Sequence, residues 1–206
     1  MVINVRPFWK IIPLGQEGDS VAVESEEGKL SILHKSGAGW GTGAHETTQL
    51  CLQAIAFMYP RKNAEWRMLD FGSGSGLLSI AAAKLGGIVD AIEIDEEGIL
   101  NGNVNAHLNG LDNRIRASRW LDESHDRYDL VVANILRPIL LEFASELTDR
   151  LGDNGTLILS GLVATDIPEV STRFVHYLKG RLPLVYQKGE WRALIWSQTT
   201  PFASSH

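Results

Sequence analysis

The hydrophobic and polar positions of this chain fall into short blocks whose period changes along the sequence. In the first 35 residues, Phe8–Leu14, Asp19–Gly28 and Gly28–His34 are β-rich stretches separated by Gly-Gln-Glu-Gly and Glu-Glu-Gly, which carry turn chemistry. They predict two or three strands in a small hairpin-like annex. A glycine-rich loop over residues 36–43 follows. Leu52, Ile55, Ala56 and Tyr59 then recur at i, i+3, i+4 and i+7, the apolar face of a helix that Pro60 stops.

From Trp66 onward strand and helix patterns alternate. Arg67–Phe71, Ile88–Ile94, Arg114–Ser118, Tyr128–Ile135 and Gly155–Gly161 read as strands, the last two apolar enough to be covered on both faces. Leu77–Leu85 is apolar all round and predicts a buried helix. Glu97–Leu108 predicts another, closed by Asn109-Gly110. A helix beginning at Pro138 carries Leu140, Phe143, Ala144, Leu147 and Leu151 on one side, and a further one runs near Asp166–Leu178. Leu182–Gln187 and Trp191–Ser197 are two strands with no helix between them. This order predicts a parallel, doubly wound sheet with an antiparallel hairpin at one edge.

Composition narrows the class. A chain of 206 residues, 44% hydrophobic and 21% charged, fits one domain with a short annex. The predicted division is an annex with its glycine-rich loop over residues 1–44, a main domain over 45–198 and a frayed tail over 199–206. No apolar run reaches the roughly 18–20 residues of a membrane span, and the N-terminus lacks signal-peptide character. With Cys51 as the one cysteine, neither an internal disulfide nor a cysteine-based zinc site can form, which agrees with a cytoplasmic home. No cluster has metal-ligand spacing. A net charge of −6 argues against a broad grip on nucleic acid.

The strongest chemical signal is Leu69-Asp70-Phe71-Gly72-Ser73-Gly74-Ser75-Gly76, placed between a strand and a helix. Glycines there let a ligand approach the backbone, and the helix N-terminus offers unpaired N–H groups. A dinucleotide fingerprint would place its third glycine where Leu77 stands. The Asp-x-Gly-x-Gly-x-Gly pattern instead resembles the first motif of S-adenosylmethionine-dependent methyltransferases. Their ligand carries an amino group and a sulfonium, so an acid near the turn is useful. Glu93, at the end of the next strand, can accept both ribose hydroxyls, and Asp95 stands beside it. Asn134, at the carboxyl end of a buried strand, can orient an amine; the alternative is a cap on the following helix. His45 can shape the transfer site or act as a base, or be a loop histidine bonded to backbone. Trp9 and Trp40 can wall the site, whereas Trp191 and Trp196 read as sheet packing and Cys51 as an inert buried thiol.

Several stretches together are similar to the PrmA type of ribosomal protein lysine methyltransferase. They are Gly41-Thr-Gly-Ala-His-Glu-Thr-Thr48 with Leu50-Cys-Leu52, Asp70-Phe-Gly-Ser-Gly-Ser-Gly76, Glu93-Ile-Asp95, Asn105-Ala-His-Leu-Asn-Gly110, Val131-Val-Ala-Asn-Ile-Leu136 and Leu157-Ile-Leu-Ser-Gly-Leu162. The likeness runs from about residue 8 to residue 197. It implies a class I methyltransferase fold, α/β, with a seven-stranded, mostly parallel sheet and a small β annex in front. It implies S-adenosylmethionine as cofactor and amino groups of the large-subunit ribosomal protein numbered eleven as substrate. It places cofactor contacts at Thr48, Gly72, Glu93 and Asn134. The motif reading adds Asp70, Gly74, Gly76 and Asp95, and the catalytic candidates are Asn134 and His45.

The chain departs from the family at three places. Glu93 stands where members usually have Asp. His34-Lys-Ser-Gly-Ala-Gly-Trp40 replaces the usual Asp-Pro-Gly-x-Ala-Phe. Members also carry an N-terminal recognition domain, and this chain begins about where the linker after it ends. Three rivals stay open on sequence alone: the same chemistry on another protein lysine or a small amine, a non-catalytic cofactor-binding module, and a nicotinamide oxidoreductase.

Overall fold

The computed structural model describes residues 2–14, 28–37, 43–59, 65–121 and 127–197. Three short strands come first: β1 (Ile3–Val5), β2 (Trp9–Leu14) and β3 (Leu30–Lys35). β1 and β2 are antiparallel, but β2 and β3 run parallel, with Trp9 opposite Leu30 and Leu14 opposite Lys35. A parallel pair cannot be closed by a tight turn, so the hairpin expected of the annex holds for β1 and β2, joined across residues 6–8, and not for β2 and β3. The strand expected over Asp19–Gly28 lies almost wholly outside the described residues.

The main body then runs α1 (Glu46–Met58), β4 (Trp66–Phe71), α2 (Leu77–Lys84), β5 (Gly87–Ile92), α3 (Glu96–Leu108), β6 (Ile115–Ser118), β7 (Tyr128–Asn134), α4 (Arg137–Glu142), α5 (Ala144–Asp149), β8 (Leu151–Val163), α6 (Ile167–Tyr177), β9 (Leu184–Lys188) and β10 (Trp191–Trp196). Its seven strands lie in the order β6-β5-β4-β7-β8-β10-β9. The first five are parallel, and β10 is antiparallel to both its neighbours. This is the class I S-adenosylmethionine-dependent methyltransferase fold, and the terminal hairpin sits at the edge where the pattern placed it.

Alternate residues of the strands feed two cores. Met68, Leu130 and Val132 pack with α1 and α2 on one face, while Leu69, Val131 and Ala133 pack with α4, α5 and α6 on the other. That double coverage is why these strands read as nearly continuous apolar runs. The small sheet joins the first core through Val5, Trp9, Ile11 and Ile32. Trp9 is 1% exposed and its indole N–H donates to the Leu52 carbonyl at 3.0 Å, so it packs in the core and does not wall a site. Two side chains of α3 also grip β3. Asn109 accepts from the Leu33 amide (3.0 Å) and donates to its carbonyl (2.7 Å). Asn105 does the same to Lys35, at 2.7 and 3.1 Å.

The single helix expected from Pro138 is two, α4 and α5, broken at Phe143, whose ring lies 5.1 Å from that of Phe71. The apolar spacing carried across the break because Leu140, Ala144 and Leu147 all feed the same core. Leu151, expected on that helix, instead opens β8 opposite Tyr128.

Candidate functional site

β4 and β7 are neighbours whose onward connections leave in opposite directions, β4 toward β5 and β6, β7 toward β8. Open α/β sheets place ligands at the carboxyl ends of strands beside such a switch point. The turn after β4 occupies it. Gly72 has φ 77°, and a Cβ there would stand 2.4 Å from Cγ2 of Ile135. Only glycine lets this turn pass beneath the residue that follows Asn134. The amides of Gly72 and Ser73 donate to the Ile92 carbonyl at 2.8 and 2.9 Å, which fixes the turn to the end of β5. Gly76 is the N-cap of α2, in the left-handed region.

Glu93 follows β5. Its Oε2 accepts the Gly74 amide at 2.8 Å and its Oε1 accepts the Asp95 amide at 3.0 Å. Asp95 in turn caps α3, accepting from the Glu97 amide at 3.2 Å. Asp70 lies beneath the turn, 1% exposed, and accepts from the Ser79 hydroxyl of α2 at 2.5 Å. Burial pushes its carboxyl up to about 6, against the lowering effect of the bonds from Ser79; the nearby Glu93 charge adds to the rise.

The start of α1 is folded onto the same edge. Thr48 is buried, and its Oγ1 stands 3.5 Å from Nδ2 of Asn134 at the end of β7. The Ser160 hydroxyl of β8 donates to the Thr47 carbonyl at 3.4 Å. His45 is the N-cap: its Nδ1 accepts from the Thr47 amide at 3.3 Å and lies 2.8 Å from Thr47 Oγ1. Its ring meets Trp191 edge-on at 4.8 Å. These contacts seat the ring as the side-chain cap of α1.

Asp70, Gly72, Gly74, Gly76, Glu93, Asp95, Asn134, Thr48 and His45 thus converge on one edge. Asn134 does not cap the following helix, a position held by Leu136, so the capping alternative falls. Trp40 and the loop from Ala38 to Thr42 lie outside the described residues. Sequence reasoning missed Ile135, the wedge over Gly72, and two exposed apolar side chains, Ile94 (64%) and Trp120 (71%), which follow the ends of β5 and β6. A large apolar residue immediately after a strand's carboxyl end was the available signal.

Comparison with known proteins agrees with this geometry. The family described as Ribosomal protein L11 methyltransferase (PrmA) matches residues 11–199. A Ribosomal protein L11 methyltransferase of Trichlorobacter lovleyi is 36% identical over 178 residues, covering 82% of this chain and 57% of its own length. That of Campylobacter fetus is 33% identical, covering 93% and 63%. The chain therefore spans about three-fifths of the length of these curated relatives. A crystal structure of a ribosomal protein L11 methylase from Lactobacillus delbrueckii superposes with a TM-score of 0.78 at 29% identity, covering 96% of this chain and 99% of that one. A 16S rRNA methyltransferase of T. thermophilus, solved with AdoMet and guanosine, shares the fold at TM-score 0.64 and 19% identity, over 76% of this chain and 44% of its own. With the family match running over nearly its whole length and the family's motif residues gathered at one strand edge, the chain belongs to the ribosomal protein L11 methyltransferase (PrmA) family.

Proposed function

We propose that this chain binds S-adenosylmethionine at the carboxyl edge of β4, β5 and β7 and transfers its methyl group to amino groups of a ribosomal protein, L11 being the substrate in its relatives' names. The observation that carries this reading is the placement of Glu93 and Asn134 on opposite sides of the Gly72 turn. One acid beside a glycine turn can take the ribose hydroxyls. One side-chain amide across it can hold an amine. Residues 45–198 would do this chemistry, with Val5, Trp9, Ile11 and Ile32 of the small sheet completing the core beneath it.

The residues present fit the cofactor. The turn from Gly72 to Gly76 admits close approach of its backbone, and Ile94 and Trp120, exposed two residues after the ends of β5 and β6, would offer apolar surface for a purine ring. Gly72, Gly74, Gly76 and Glu93 would hold the ligand directly. Asp95 would act by capping α3 behind Glu93, and Asp70 from beneath the turn. When bound, S-adenosylmethionine supplies an electrophilic methyl group on a sulfonium. The chain's own part is then alignment. Thr48 lies at Nδ2 of Asn134, leaving Oδ1 as the group that accepts from an incoming amine. The lysine ammonium loses its proton before transfer, to solvent or to His45.

Incubating the chain with labelled S-adenosylmethionine and purified ribosomal protein L11, followed by mass mapping of the product, tests this. Methyl groups on lysine side chains or the N-terminal amine are expected. Cofactor binding without label on L11 would redirect the proposal to another amine substrate, and no cofactor binding would end it.

A further inference from the structure

α3 carries a glycine at its third position, Gly98, directly after the Asp95 cap and the acids Glu96 and Glu97. Glycine is the poorest helix former after proline, so it calls for a reason. The backbone supplies none, because Gly98 is not among the residues with positive φ and alanine would adopt the same conformation. Space supplies one. A Cβ on residue 98 would stand 2.8 Å from Cγ of Glu93 and 3.3 Å from its Cδ. The position is buried, and the methylene of Glu93 fills the room that a side chain at 98 would need.

We infer that Gly98 is a positioning residue for the cofactor site, setting the reach of the Glu93 carboxylate. This rests on the reading of Glu93 as the ribose acid. From its seat over Gly98, Glu93 holds the Gly74 amide through Oε2 and the Asp95 amide through Oε1. An alanine at 98 pushes Cγ and Cδ away from the helix and breaks that paired grip. An aspartate at 93 would also place a carbon at Cγ, so the closer of the two contacts does not depend on the length of the acid. The glycine at 98 and the Cγ and Cδ of Glu93 thus share one volume.

The test is Gly98→Ala in the full chain, with S-adenosylmethionine affinity read by calorimetry and the Gly74 and Asp95 amide protons by NMR. Gly98→Ala should weaken binding roughly tenfold or more, the loss expected when a charged hydrogen-bond partner is displaced. It should also remove exchange protection from both amides while the melting temperature holds or rises. Unchanged affinity, or amides that stay protected, in Gly98→Ala would overturn the inference. Should the unmutated chain bind no cofactor, the functional reading fails, and the amide protection still decides whether residue 98 positions Glu93.

Discussion

Oε2 of Glu93 accepts the amide of Gly74 at 2.8 Å, which ties the acid ending one strand to the turn ending its neighbour. Removing the carboxylate therefore does two things: it takes away the group offered to the ribose and it releases the turn. Glu93→Ala should weaken S-adenosylmethionine binding by about 1.5–3 kcal/mol, the range for hydrogen bonds to a charged group. Calorimetry on the variant and parent checks this, and equal affinities would remove Glu93 from the ribose.

Asn134 separates binding from chemistry. If its Oδ1 orients the amine, Asn134→Ala should depress turnover far more than it weakens cofactor affinity. A proportional fall in both would make it a cofactor contact alone. Measuring kcat and the cofactor Kd side by side distinguishes the outcomes.

Asp70 predicts a pH dependence of folding. Its carboxyl sits at about 6 in the fold, against 3.8 for an ordinary aspartate, so between those values the folded chain binds the extra proton. Stability from this group is present below about pH 4 and is lost as pH rises through about 6, at up to about 1.4 kcal/mol per pH unit. Asp70→Asn keeps an acceptor for Ser79 and cannot titrate. Urea melts from pH 4 to 7 should show parent minus variant stability falling across that window, and a flat difference would refute the buried-acid assignment.

Cys51 is fully buried in α1, and burial pushes its thiol up to about 12. The native protein should resist a thiol-specific reagent at neutral pH and take up one equivalent on unfolding. Fast labelling of the native state would contradict the packing described for α1.

The main sheet was legible because its strands are covered on both faces, so Leu130–Ala133 and Leu157–Leu159 announce themselves as unbroken apolar runs. The glycine turn and its acids were legible because chemistry and chain geometry demand the same residue types there. What stayed hidden depended on partners far away in sequence. Nothing local tells that β2 and β3 run parallel, because part of what seats β3 is Asn105 and Asn109, 70 and 76 residues away. The break at Phe143 leaves the apolar spacing intact. The seat of His45 on Thr47, which makes it the cap of α1, is likewise a matter of how the helix start folds back. Gly98 reads in the sequence as a weak spot in a helix, and only the position of Glu93 gives it a purpose.

The grip of Asn105 and Asn109 on β3 spans 70 and 76 residues of chain. On a translating ribosome that distance becomes a delay. At about 5–20 residues added per second, β3 is made roughly four to fifteen seconds before the amides that hold it. Through the first part of that interval Ile11 and Ile32, fully buried in the finished protein, lack the α2 side chains they pack with, since Leu77 follows Ile32 by 45 residues. The small sheet is thus made well before the helix that holds it, and a nascent chain stalled before residue 105 should hold β3 without the grip of Asn105 and Asn109.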